Sequence, residues 1–132
     1  MDASRLKAIP LFANLSNKHM EQVARHADEV EVKAGTVLIH KGDGAHEFIA
    51  IEQGTATVSR DGKVIRTLGP GEFFGEIGLL RTHYRTADVI ADTDMKLVVI
   101  FGPEFVVLDE DIKEMREAVE AAIATRLATG QG

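Results

Sequence analysis

Residues 69–80 read Gly69-Pro70-Gly71-Glu72-Phe73-Phe74-Gly75-Glu76-Ile77-Gly78-Leu79-Leu80, and Arg85-Thr86-Ala87 follows close behind. These twelve residues hold four glycines, two carboxylates and an apolar run. Gly75 and Gly78 lack a Cβ, so the backbone there can approach a ligand closely. A short helical turn starting near Gly75 leaves its first N–H groups unpaired and pointing outward, which makes an anion site. Arg85 can close that site with a two-pronged guanidinium. Glu76 inside such a cradle repels bare phosphate. A ligand carrying a phosphate beside a hydroxyl suits the pair, because a carboxylate accepts hydrogen bonds from hydroxyls.

Upstream, short apolar runs alternate with glycine turns. Val30 and Val32 alternate with Glu29, Glu31 and Lys33, the pattern of a half-buried strand. Ala34-Gly35 turns into a run from Thr36 to His40. Residues 41–44 form a turn cluster, and Phe48 to Glu52 reads as a strand. Asp61-Gly62, between Thr55–Arg60 and Lys63–Leu68, is the strongest hairpin signal in the chain. Downstream, residues 86–91 and 95–101 are rich in β-formers. Strands this short, with turns this frequent, predict a sandwich or barrel over residues 28–101.

Helical patterns flank this region. Residues 3–27 are expected as two short pieces, because Pro10 interrupts the apolar spacing, with Ser16 capping a helix through Met20, Val23 and Ala24. Residues 103–128 are expected to be helical again, with Pro103 at the first helical position. Phe105, Val106 and Leu108 supply an apolar patch there. Asp109-Glu110-Asp111 places negative charge ahead of a second helix. In that helix Ile112, Met115, Val119, Ile123 and Leu127 fall near helical spacing, and its alanines raise helix propensity. The segment Thr129-Gly130-Gln131-Gly132 ends it. The stripe through Met115, Val119 and Ile123 is either core packing or an oligomer surface. With no repeat and no low-complexity linker, residues 1–132 read as one domain.

Phe73-Phe74-Gly75-Glu76-Ile77-Gly78-Leu79-Leu80, then three residues, then Tyr84-Arg85-Thr86-Ala87, resembles the phosphate-binding cassette of the cyclic nucleotide-binding domain family. The family includes kinase regulatory subunits, cyclic-nucleotide-gated channels and catabolite activator proteins. Its pattern is roughly F-G-E-[IL]-[AG]-L-[LM], a spacer, then P-R-[AST]-A. The likeness extends from about Leu11 to Leu127, and Leu11-Phe12-x-x-Leu15-Ser16 is similar to the family's N-terminal motif. The fold it implies is mainly β with flanking helices: a jelly-roll-like β-roll of about eight strands. It also implies that Glu76 accepts a bond from a ribose 2′-hydroxyl and that Arg85 neutralises a cyclic phosphodiester. Phe74, Gly75, Ile77, Gly78, Leu79 and Ala87 complete the implied site, mostly through backbone N–H groups. Thr86 can touch the phosphate or a guanine amino group. Cyclic AMP is favoured as ligand over cyclic GMP, with no cofactor.

Two residues depart from the family pattern. Tyr84 replaces the usual proline, which removes a φ constraint, and is either a surface residue or a cover for the ligand. Asp88 stands where a neutral residue is common, and either weakens anion binding or orients Arg85 from outside.

The bulk composition narrows the alternatives. The chain of 132 residues carries 15 basic and 21 acidic side chains, a net charge of −6. An acidic domain lacks the basic footprint of a nucleic-acid binder. No run of apolar residues is long enough for a membrane span, and the N-terminus lacks a secretory pattern. Without cysteine there is no disulfide, thiolate metal site or thiol nucleophile. A cytoplasmic location is the default.

His19, His26, His40, His46 and His83 invite comparison with metal-dependent cupins, but no H-x-H with a matching carboxylate supports it. No catalytic set is present in the pattern, so the expected protein binds its ligand without transforming it. Signalling is expected through a partner effector or self-association, with the C-terminal helices closing on the base and any lid after Leu127 short or absent. The alternative is a degenerate β-roll used purely for protein interaction.

Overall fold

In the computed structural model, which describes residues 1–130, eight strands and their flanking helices take the order expected. Gln131 and Gly132, assigned above to the helix terminus, lie outside the described residues. The strands are β1 (Ala27–Val32), β2 (Val37–Ile39), β3 (Glu47–Gln53), β4 (Ala56–Arg60), β5 (Lys63–Leu68), β6 (Phe73–Phe74), β7 (Asp88–Ala91) and β8 (Met95–Phe101). They form two antiparallel sheets, ordered β1-β8-β3-β6 and β2-β7-β4-β5. The chain is therefore mainly β with helices at both ends, a β-roll.

Local chemistry accounts for the joints. Asp61 and Gly62 join β4 to β5 with φ of 54° and 80°, the two left-handed residues that a tight hairpin turn matching strand twist requires. Helix α1 (Pro10–Ala13) begins on its proline, and Ser16 caps α2 (Asn17–His26) by accepting from the His19 N–H. Helices α3 (Gly102–Asp111) and α4 (Lys113–Ala128) follow β8.

β3 is apolar on both faces because it separates two cores. Phe48 and Ala50 point to the helices, and Ile49 and Ile51 to the opposite sheet. Phe48 stacks on Phe105 of α3 with centroids 4.3 Å apart and meets Phe12 of α1 edge-on, joining both helical ends to the sheet. Ile112, Met115, Val119 and Ile123 are buried in this helical core, so the α4 stripe is core packing.

Two expectations fail. In β1, Val32 packs partly buried against the second core as expected, but Val30 is exposed. Val30 lies opposite Leu97, and β1 is the edge strand of its sheet. Leu127 is exposed as well, at 56%, while Arg126 is 8% exposed. The inward face of α4 ends on an arginine in place of the leucine.

Candidate functional site

β6 ends at Phe74, and Gly75 turns the chain with φ +95° into a helical segment that opens at Glu76 and continues as a π-helical turn, Gly78–Thr82. The turn expected near Gly75 is therefore present, and its first N–H groups have no partner within it. A Cβ on Gly75 would sit 2.8 Å from Arg85 Nη1 and 2.9 Å from the Glu47 carbonyl oxygen. Glycine is required there both for conformation and for space.

Arg85 lies beside this turn and is buried. Its guanidinium donates to the Gly75 carbonyl at 3.1 Å and to the Glu47 carbonyl at 2.7 Å. Among the described residues it has no carboxylate within ion-pair distance. Burial pushes its pKa below the usual arginine value, with Glu47 and Glu76 opposing that fall. A buried cation held only by neutral carbonyls is poised to take an anion, because its charge is uncompensated. Its backbone is pinned by bonds between Arg85 N–H and Asp43 O and between Gly42 N–H and Arg85 O. Arg60 Nε donates to Thr86 O and steadies the next residue.

Glu76 is 1% exposed. Its Oε1 is ion-paired with Arg126 of α4, and its Oε2 is buried with no hydrogen-bond partner. Arg126 also donates to the Phe73 carbonyl at 2.5 Å, and its guanidinium carbon lies 4.9 Å from the Phe73 ring centroid. Arg66 of β5 completes the polar lining, with its Nε buried and unpartnered. Burial first, then the nearby Arg126 charge, holds Arg66 below the ordinary arginine range.

These groups surround one cavity of about 50 Å³. Its apolar walls include Ile39, Val58, Phe74, Ile77 and Val89, and Gly78, Thr86 and Ala87 also line it. The cavity therefore gathers Phe74, Gly75, Glu76, Ile77, Gly78, Arg85, Thr86 and Ala87, while Leu79 packs against the helical core instead. Ligand pockets commonly span about 300–1,000 Å³, so this one is largely filled, and Arg126 is among the side chains that fill it.

Tyr84 is exposed at 64% and does not line the cavity. Asp88 neither enters the site nor touches Arg85. It accepts from the Lys41 N–H at 2.8 Å and pairs with His40 at 3.0 Å, and these contacts hold its pKa below the ordinary aspartate value. Among the described residues no group of three His, Asp or Glu side chains could hold a metal ion, and no helix is long and apolar enough to cross a membrane.

The sequence reading missed Arg66 and Arg126. Arg66 sits in an ordinary hairpin strand, and its only signal was a cation on an otherwise β-forming run. Arg126 reads as a last-turn cation complementing the helix dipole.

A family model described as cyclic nucleotide-binding domain matches residues 29–110. A cAMP-dependent protein kinase regulatory subunit of Schizosaccharomyces pombe is 35% identical over 77% of this chain, which spans 25% of that relative. A cGMP-dependent protein kinase of Drosophila melanogaster is 31% identical over 96% of this chain, which spans 17% of that relative. The regulatory domain of Toxoplasma gondii PKA, solved with cAMP, superposes with a TM-score of 0.71 at 28% identity, covering 80% of this chain and 42% of the other.

Proposed function

The chain belongs to the cyclic nucleotide-binding domain family, and from that premise we propose that its cavity binds a purine cyclic nucleotide as a regulatory ligand and does not transform it. The observation that carries this reading is the buried Arg85 guanidinium, bonded to two carbonyls and, among the described residues, with no carboxylate within ion-pair distance. A cyclic phosphodiester supplies the missing single negative charge through charge-assisted bonds. The amides of the turn from Glu76 to Gly78, with Thr86 and Ala87, complete the phosphate cradle, while the Leu79 N–H already donates to the Gly75 carbonyl at 3.3 Å. The unpartnered Glu76 Oε2 takes the ribose 2′-hydroxyl, an acceptor that discriminates against a deoxy ligand. No cofactor takes part.

Cyclic AMP is the favoured ligand; the fission-yeast relative is named as a cAMP-dependent protein kinase regulatory subunit, and the Toxoplasma domain was solved with cAMP. Arg66 supports cyclic GMP as a second reading, since its buried Nε–H lacks an acceptor and guanine presents O6 and N7 where adenine presents an amino group. Binding shifts the cassette and the C-terminal helices between arrangements, read by an effector or by a second copy of this chain, in the cytoplasm.

Calorimetric titration with cyclic AMP and cyclic GMP tests the reading. Binding to the folded wild type, weakened by about 2–5 kcal/mol in Arg85→Ala as expected for loss of a buried counter-charge, supports it. Absence of binding to both nucleotides overturns it in favour of an interaction module.

A further inference from the structure

We propose that Arg126 is a tethered competitor for the ligand's room in the cavity beside Glu76, so that nucleotide binding and release of the end of α4 are one event. The inference rests on the cavity's being a cyclic-nucleotide site.

The contacts of Arg126 are the argument. Its guanidinium pairs with Glu76, donates to the Phe73 carbonyl and lies over the Phe73 ring. All three partners belong to the cassette segment, and none to α4. Arg126 therefore holds one oxygen of the carboxylate whose other oxygen a ribose hydroxyl would use, and its side chain takes up room in a cavity of only about 50 Å³. A nucleotide of any base needs more room than that. The guanidinium also lies near Arg66, whose charge it opposes, so Arg126 is a strong partner for Glu76 yet a poor neighbour for the rest of the site.

The helix is built to let go at this point alone. Its buried apolar anchors are Met115, Val119 and Ile123. Beyond Ile123, the described contacts of α4 with the roll are those of Arg126, while Leu127 faces solvent. One further tie, the ion pair of Glu120 with Arg81, joins α4 to the cassette turn, but both partners are over 40% exposed, where such pairs contribute little. The last turn can therefore lift while Met115 and Val119 stay in the core.

Two states follow. In one, Arg126 holds Glu76 and takes up room in the cavity. In the other, the nucleotide holds Glu76 and the last turn of α4 is free. The apparent affinity is reduced by the fraction of molecules in which Arg126 fills the cavity, and reciprocally the nucleotide weakens the hold on α4.

Hydrogen exchange of the wild-type protein, with and without saturating cyclic AMP or cyclic GMP, reads the coupling directly. The expected result is faster exchange in residues 123–128 when nucleotide is bound. Unchanged or slower exchange there, with binding proven by calorimetry, overturns the inference and leaves the binding reading intact. Arg126→Ala and Arg126→Gln give the second readout. Removal of the competitor is expected to tighten nucleotide binding, within the about 5- to 150-fold span typical of coupled sites. Weaker binding by the folded variants makes Arg126 a ligand contact and overturns the inference. If neither wild type nor variants bind either nucleotide, the binding reading itself fails and the inference with it.

Discussion

The Arg85 guanidinium donates to the carbonyl of Gly75, ten residues earlier in the chain, at 3.1 Å. That bond ties the cation to a backbone position that has no room for a side chain. Arg85 Nη1 would lie 2.8 Å from a Cβ on Gly75, and the residue's φ of +95° belongs to glycine. Turn geometry and charge placement are thus one constraint, imposed on the cassette from both ends.

Gly75→Ala is therefore expected to strike stability and binding together. Backbone strain of this kind costs about 1–3 kcal/mol, and the new methyl must push aside either Arg85 or the Glu47 carbonyl. Urea denaturation reads the first effect, and nucleotide calorimetry the second. A variant of wild-type stability and affinity would show that Arg85 does not depend on the close approach.

Much of this was legible because it is local. Asp61-Gly62 specified its hairpin from two adjacent residues, and both have the left-handed φ such a turn needs. The cassette likewise carries its glycines, acid and arginine within a short span, so residues that line the cavity could be named from it, while the Leu79 side chain packs against the helical core. The α4 stripe was readable through Ile123 as one helical face, since spacing alone groups those residues, and the structure turns that face to the core.

What could not be read depends on distant surfaces. Residues 126 and 127 both follow Ile123 at helical spacing, and apolarity favoured Leu127. The inward place goes to Arg126 because the surface it meets offers Glu76 and the Phe73 ring, fifty residues away. Val30 failed for a similar reason. Alternation tells which face a side chain takes, but not whether another sheet covers that face at an edge strand.

Asp109 carries a pH prediction. It is buried near the end of α3, with its Oδ1 unpartnered. Burial first, then the neighbouring Glu120, raises its pKa above the usual aspartate value, with Arg116 and Arg81 opposing. The folded state thus holds this proton more tightly than the unfolded one. Its stabilising share is full below the ordinary carboxylate range and is lost as pH rises through the raised value. Asp109→Asn removes that loss. The variant is expected to gain stability over wild type as pH climbs from the ordinary aspartate range toward neutrality, with little difference at the acid end. Paired urea melts across that range check it, and a constant difference between the two proteins would assign the change to packing and not to ionisation.

Arg66 bears on the choice of base. Its Nε is buried in the cavity without an acceptor, and its charge is disfavoured by burial and by Arg126. A ligand that supplies acceptors relieves both costs. Guanine offers two on one edge, matching the guanidinium fork, whereas adenine offers one acceptor beside an amino donor that opposes it. Arg66→Ala is therefore expected to weaken cyclic GMP binding more than cyclic AMP binding, by about 1–3 kcal/mol of discrimination if the fork engages both atoms. Titration of wild type and variant with the two nucleotides measures the ratio directly. Equal losses for both ligands would place Arg66 on the shared phosphate or ribose, and an unchanged ratio with unchanged affinity would make it a bystander in the cavity wall.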